Sequence, residues 1–202
     1  MIASALHLSR SDVKILKITD VYSLHRMVYS LFEDIRTPEQ KQTGSSSGIL
    51  YADKGGDAQH RKILILANRH PIVPEHGELN SKNIPDNFLQ HEQYRFEVVI
   101  NPCQRNNASR KIVPIKGREA INAWFINKAP ESWGFSVSQQ NIVVSNTHVK
   151  RFDKKGHQVT LGYATVTGLL QITDKTQFIS SFQHGIGRGR AFGCGLLQIV
   201  PL

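Results

Sequence analysis

Apolar and polar positions follow two periods along this chain, and the switches between them mark out its elements. Residues 1–8 are apolar and mixed, as in a strand. Thr19 or Asp20 can cap a helix running to about Asp34, with Val21, Leu24, Val28, Leu31, Phe32 and Ile35 at helical spacing. Residues 37–48 are rich in Gln, Ser and Gly and read as a loop. Residues 49–52 and 62–68 read as strands, with residues 53–57 opening the turn between them. Pro71, Pro74 and Pro85 forbid a long helix in residues 69–90, leaving room for a short helix and a weak strand.

A second unit opens near Glu92. Residues 94–100 read as a strand ended by Asn101 and Pro102. Residues 116–128 read as a helix with Ala120, Ile121, Trp124 and Phe125 on its core side. Residues 140–151 and 157–172 are long β-patterned runs, joined by a turn at residues 153–156 with Gly156 where positive φ is expected. Thr173 or Asp174 can cap a helix carrying Phe178, Ile179 and Phe182, and Gly185 can end it as a left-handed residue. Residues 193–200 read as the closing strand.

The second half is therefore a βαββαβ unit and the first a rougher copy of it. The expected class is α+β: two tandem ferredoxin-like (RRM-like) domains, residues 1–90 and 92–202. Such a fold hosts many functions, so chemistry must come from its residues.

Charge narrows the choice. The chain has 25 Lys+Arg against 16 Asp+Glu, a net +9, of which residues 92–202 carry +8. That imbalance is the footprint of a polyanionic partner. Cys103 and Cys194 form neither a metal-ligand pattern nor a disulfide framework and read as free thiols of a cytoplasmic protein. No run approaches the length of a membrane span, and the first ten residues do not read as a signal peptide, so no membrane partner is expected.

Gly185, Gly187, Gly189, Gly193 and Gly195 fall within eleven residues, interleaved with Arg188 and Arg190. Glycines let backbone amides approach a ligand, and the arginines favour an anion. The run follows a helix and precedes a strand, so it is not a dinucleotide fingerprint. Either it holds phosphates, or it is a tight turn that lets the two halves pack, or both.

Three stretches in this order resemble the CRISPR-associated repeat-processing endoribonucleases of the CasE type, in the RAMP superfamily. They are Tyr22 to Arg26 at the start of the first helix, Tyr94 to Pro102, and the glycine run from Gly185 to Leu197. The resemblance implies a metal-independent nuclease that binds the hairpin of a CRISPR repeat transcript and cuts at the 3′ base of its stem. It further implies that the protein stays on the mature guide RNA beside the other Cascade subunits, with no cofactor. Some relatives place a lysine further along the first helix. Here that stretch reads Val28, Tyr29 and Ser30, so the assisting cation must come from elsewhere, from Arg26 or the glycine loop.

The residues support such chemistry. No acidic or His/Cys cluster falls at metal-ligand spacing, which leaves a two-metal nuclease without ligands. RNA supplies its own nucleophile, the 2′-OH, and needs only proton transfer and charge stabilisation. Tyr22, His25, Arg26 and Tyr29 form one stripe at i, i+3, i+4, i+7, roughly 120° from the apolar one. His25 is the candidate general base or general acid, Tyr22 would orient the phosphate or share the proton transfer, and Arg26 would stabilise charge. For RNA binding the candidates are Lys150, Arg151, Lys154 and Lys155 on the hairpin, and Gly187, Arg188, Gly189 and Arg190 in the glycine loop. Lys111, Lys116 and Arg118 extend the basic track. Two rivals stay open: a non-catalytic RNA-binding subunit of the same fold, and a metabolic enzyme that holds a nucleotide in the glycine loop.

Overall fold

In the opening strand β1 (Ile2–Ser9), Ile2, Ser4, Leu6 and Leu8 are buried and the residues between them half-buried. The computed structural model describes all residues of the chain except 44–45, 58–59 and 155. Directly after β1 comes a short helix that the apolar pattern misses, α1 (Arg10–Ile15), which buries none of its residues. It is held by a reciprocal cap in which Ser9 Oγ accepts the Asp12 amide at 3.1 Å and the Asp12 carboxylate accepts the Ser9 amide at 2.8 Å.

Asp20, one of the two expected caps, starts α2 (Val21–Ser30) by accepting the Ser23 amide at 2.7 Å while Ser23 Oγ accepts the Asp20 amide at 2.9 Å. This helix stops short of Asp34. The Leu31 and Phe32 amides bond three residues back, to Val28 and Tyr29, and the Arg69 guanidinium takes the Glu33 carbonyl at 2.7 Å. Leu31 and Phe32 stay in the core, whereas Ile35 is 59 % exposed and does not join the apolar stripe. The expected loop at 37–48 contains one turn of helix, α3 (Pro38–Gln42), capped by Thr37 with proline at its start.

Strands β2 (Ile49–Gly56), β3 (His60–Ala67) and β4 (Glu78–Asn83) complete a first antiparallel sheet in the order β2-β3-β1-β4. Residues 53–56, expected in a turn, belong to β2, with a register irregularity between Asp53 and Gly56. No helix forms between β3 and β4; the short helical turn of this region, at Asp86–Leu89, follows β4 instead.

The second sheet repeats the plan. β5 (Gln93–Ile100), β8 (Phe135–Lys154), β9 (His157–Ile172) and β10 (Gln198–Pro201) run in the order β10-β5-β9-β8. A small hairpin, β6 (Cys103–Arg105) with β7 (Ile112–Pro114), precedes α4 (Arg118–Ser132), and α5 (Lys175–His184) follows β9. α4 passes through Pro130 and ends four residues later than expected. β8 starts at Phe135, earlier than its pattern suggests, because Gly134 turns the chain at φ 75° against the cap of α5. Asp174 is that cap, accepting the Gln177 amide at 2.9 Å.

Two expectations fail at the C-terminal end. Gly185 has the positive φ but a ψ of 158°, so the backbone leaves α5 extended and not left-handed helical. The closing strand begins at Gln198, not Gly193; Gly193 and Gly195 sit at φ 80° and 83° and turn the chain ahead of it. On α4, Ile121 and Phe125 are buried as expected, but Ala120 is exposed and Trp124 only half-buried.

Helix α2 covers the outer face of the first sheet, packing Leu24 and Val28 on Leu6, Ile63 and Tyr51. The second core is aromatic: Phe125 lies 5.8 Å from Phe96, 5.0 Å from Trp133 and 6.2 Å from Phe135 between ring centroids. It also takes in Leu50, Ala52 and Leu66 of the first sheet together with Ile186, Leu196 and Leu197, so the two halves share one core. Phe125→Ala, at a position with no exposure, is expected to cost about 3–5 kcal/mol in denaturant unfolding.

Candidate functional site

The buried side of α2, anchored by Leu24 and Val28, leaves Tyr22, His25 and Tyr29 half-buried at its edge and Arg26 exposed. Within this stripe the rings touch one another. His25 stacks on Tyr22 at 5.9 Å and 16°, and lies 4.2 Å from Tyr29. The Arg26 guanidinium sits over the Tyr22 ring at 5.4 Å, and the Tyr29 hydroxyl accepts a hydrogen bond from Ser47 at 3.1 Å.

The other wall comes from the glycine loop. All five of its glycines have positive φ. A Cβ on Gly195 would stand 2.4 Å from the Ile186 carbonyl and one on Gly185 2.7 Å from Leu50, so these two allow close packing. At Gly187 a Cβ would meet nothing, which leaves that backbone open to a ligand. The loop tightens into a single helical turn, Arg190–Phe192, between left-handed Gly189 and Gly193. That turn places the Phe192 ring 5.5 Å from the His25 imidazole.

Two buried tyrosines fix the turn. Tyr51 of β2 donates to the Ala191 carbonyl at 3.2 Å, and Tyr163 of β9 donates to the Phe192 carbonyl at 3.0 Å. Burial pushes both phenols far above their ordinary value, so they remain donors. Burial likewise pushes the neighbouring Cys194 thiol up to about 12.

Strand alternation divides the basic hairpin. Lys150, Phe152 and Lys154 share one face of β8, where Phe152 lies 4.9 Å from Phe192. Lys154 Nζ stands 5.6 Å from the Phe192 ring, and Lys150 Nζ 5.2 Å from the Tyr163 ring. His148 stacks on Tyr163 at 5.2 Å, delivered there by a register irregularity in β8. Lys155 lies outside the described residues.

Between the sheets opens a cleft of about 690 Å³, lined by Tyr51, Asp53, Arg61, Lys150, Tyr163 and Phe192 among others. Burial pushes the Asp53 carboxyl up, but the Arg61 guanidinium at 2.7 Å outweighs it and holds the group below its ordinary value. A second cleft of about 860 Å³ carries Lys116 and Arg188. Arg151 reaches both clefts, while Lys111 and Arg118, both exposed, line neither. Arg190 serves the loop itself, donating to the His184 carbonyl at the end of α5 at 2.9 Å. The expected RNA-facing cations that line a cleft thus divide between two clefts that meet at His148, Arg151 and Tyr163.

At the centre, burial pushes the His25 imidazole below its ordinary value; the Ala191 backbone opposes this and the charge of Lys154 reinforces it. Its Nδ1 is buried and finds no hydrogen-bond partner among the described residues. The ring is therefore biased toward the neutral form, with an ammonium close by. Phe192, Tyr51 and Tyr163 are the parts that sequence reasoning missed. Phe192 has a visible signal, as the single aromatic residue inside the glycine run. The tyrosines have none beyond their place in strands. Among the described residues no group of three or more His, Cys, Asp or Glu is placed to hold a metal ion, and no helix is long and apolar enough to cross a membrane.

Known proteins share this fold. The E. coli K12 protein named CRISPR system Cascade subunit CasE is 22 % identical over 196 residues, 91 % of this chain and 93 % of that one. The Thermus thermophilus protein named CRISPR-associated endoribonuclease Cse3 is 24 % identical over 120 residues, which span 54 % of this chain and 56 % of that protein. Among solved structures, T. thermophilus Cse3 bound to an RNA representing a pre-cleavage complex superposes with a TM-score of 0.79 at 18 % identity, covering 99 % of this chain and 98 % of that one. Cas6e from E. coli K-12 superposes with a TM-score of 0.64 at 20 % identity over the full length of both. These likenesses identify the fold as tandem ferredoxin-like. The family described as CRISPR associated protein matches residues 1–201, and this chain belongs to it.

Proposed function

We propose that this protein is the endoribonuclease that matures CRISPR RNA: it binds the repeat hairpin, cuts at the 3′ base of the stem and stays on the guide RNA among the other Cascade subunits in the cytoplasm. The observation that carries this reading is the meeting of a neutral-biased imidazole, His25, with the glycine loop and the Lys154 ammonium at the edge of a cationic cleft. Residues 1–90 supply the catalytic helix as one domain, and residues 92–202 supply the basic hairpin and glycine loop as the other.

The reaction needs no metal. His25, uncharged, takes the proton of the 2′-OH as that oxygen attacks the adjacent phosphorus. The P–O5′ bond breaks, the 5′-oxygen gains a proton, and the products are a 2′,3′-cyclic phosphate and a 5′-OH. Tyr22, stacked on His25, orients the phosphate or passes the second proton. Lys154 fills the place of the lysine missing from the helix by offsetting the charge that grows on the phosphate, with Arg26 at the outer edge. Lys150, Arg151, Lys155, Lys116 and Arg188, with the open backbone of Gly187 and the neighbouring Gly189, hold the A-form stem through its phosphates. Arg190 contributes from its bonded position on α5, and Lys111 and Arg118 add only long-range attraction.

His25→Ala is expected to abolish cleavage of a repeat hairpin in EDTA while leaving binding within a few fold; normal cutting by that variant would remove His25 from the mechanism. A 2′-deoxy nucleotide at the cut site should block the wild-type enzyme, and any cut that persists should lack a cyclic end. Lys154→Ala should slow single-turnover cleavage about 10²-fold at saturating RNA. Replacing Lys150, Arg151, Lys154 and Lys155 together should weaken binding and flatten its salt dependence in filter binding.

The pH profile follows from the imidazole. A base must be unprotonated, and burial holds the proton off, so the rate should rise to its plateau at a pH below the ordinary histidine value. Removing the Lys154 charge should move that inflection upward.

A further inference from the structure

The His25 imidazole lacks what usually orients a histidine that moves protons. No carboxylate holds the ring, and its buried Nδ1 makes no full hydrogen bond among the described residues; the Ala191 backbone lies beside it and favours its charged form. Beside that backbone group, three aromatic rings pack on the imidazole. Tyr22 and Tyr29 ride on the same helix and move with it. Phe192 is the one of the three that arrives from elsewhere, and it closes the imidazole against the helix.

Phe192 stands on a single helical turn flanked by two left-handed glycines, a backbone with little stiffness of its own. What stops the turn from shifting is a pair of hydrogen bonds to consecutive carbonyls, from Tyr51 to Ala191 and from Tyr163 to Phe192. The two phenols come from different sheets, with their rings 0 % and 5 % exposed. Resting on the assignment of His25 to proton transfer, we infer that Tyr51 and Tyr163 are positioning residues of this enzyme: they clamp the 190–192 turn so that Phe192 fixes the His25 imidazole. Neither hydroxyl bonds the imidazole; both act through the turn, whose Phe192 ring and Ala191 backbone face it.

The charged and titratable groups facing the ring are Tyr22, Arg26 and Tyr29 on its own helix and Lys154 on β8; the loop's Arg190 is turned away to the end of α5. Loosening the clamp leaves these in place and admits water to the ring. The imidazole should then titrate closer to its ordinary value.

The test is Tyr51→Phe, Tyr163→Phe and the double variant, each of which keeps the ring and removes one donor. Single-turnover cleavage of a repeat hairpin at saturating RNA should fall about tenfold for each and approach a hundredfold for the double variant, the scale of a small misplacement of a reacting group. Hairpin affinity should stay within about threefold, and the inflection of the pH–rate profile should move up. Phe192→Leu should behave like the double variant and Phe192→Tyr should restore most of the rate. Unchanged rates and inflections, or rate and affinity falling in parallel, would overturn the clamp. NMR titration of the His25 ring in the free protein separates this inference from the functional one. If no repeat RNA is cut by the wild type, the nuclease reading fails, while an upward shift in Tyr163→Phe still upholds the clamp and no shift removes it. A variant too unstable for kinetics is assessed by the same titration in Phe192→Leu against Phe192→Tyr.

Discussion

A buried phenol needs an acceptor, and this fold gives two such phenols neighbouring carbonyls of one short turn. Tyr51 lies in the first sheet and Tyr163 in the second, so the turn at Arg190–Phe192 is where the two halves are tied by directional bonds and not only by shared apolar surface. The rest of the site depends on that tie. It sets where Phe192 stands, hence how the imidazole lies, and it places Lys154 and Phe152 around the same ring. The ion pair between Lys54 of β2 and Glu97 of β5 adds a second, more exposed link across the same boundary.

The glycine run thereby acquires a meaning different from an anion cradle alone. Its five positive φ angles bend the chain sharply enough to send a strand-bound segment past the cleft and back. Gly185 and Gly195 are fixed by close packing, and Gly187 alone faces open space. One loop combines a structural knot and a ligand-facing backbone, and the two tasks fall on different glycines.

Most of the architecture was legible in the sequence because it rests on local rules. The period of Val21, Leu24 and Val28 gave α2, and Phe178 with Phe182 gave α5, since each buries a stripe against a sheet. The reciprocal cap of α1 was also present in Ser9 and Asp12, but the helix buries nothing, and an apolar pattern is blind to it. Backbone sign was the other blind spot: positive φ at Gly134, Gly193 and Gly195 moved the starts of β8 and β10 away from where their apolar residues begin. For the site, His25 and its stripe could be read from helical spacing, as could the cations. Which cations face the imidazole could not, because strand alternation sends Lys154 and Arg151 to opposite faces. The meeting of Phe192 with His25 joins distant positions and leaves no periodic trace.

That distance in sequence has a consequence for the newly made chain. Helix α2 and the first sheet emerge early, carrying His25 with two of its three rings. The third ring emerges only with residue 192, and its clamp needs β9 already paired in the second sheet. A partly synthesised chain can therefore display the histidine without an ordered imidazole. On the proposed function, catalytic competence is a late event in folding, reached only when both halves have closed on one another, and an unfinished protein would be kept from cutting the RNA it meets.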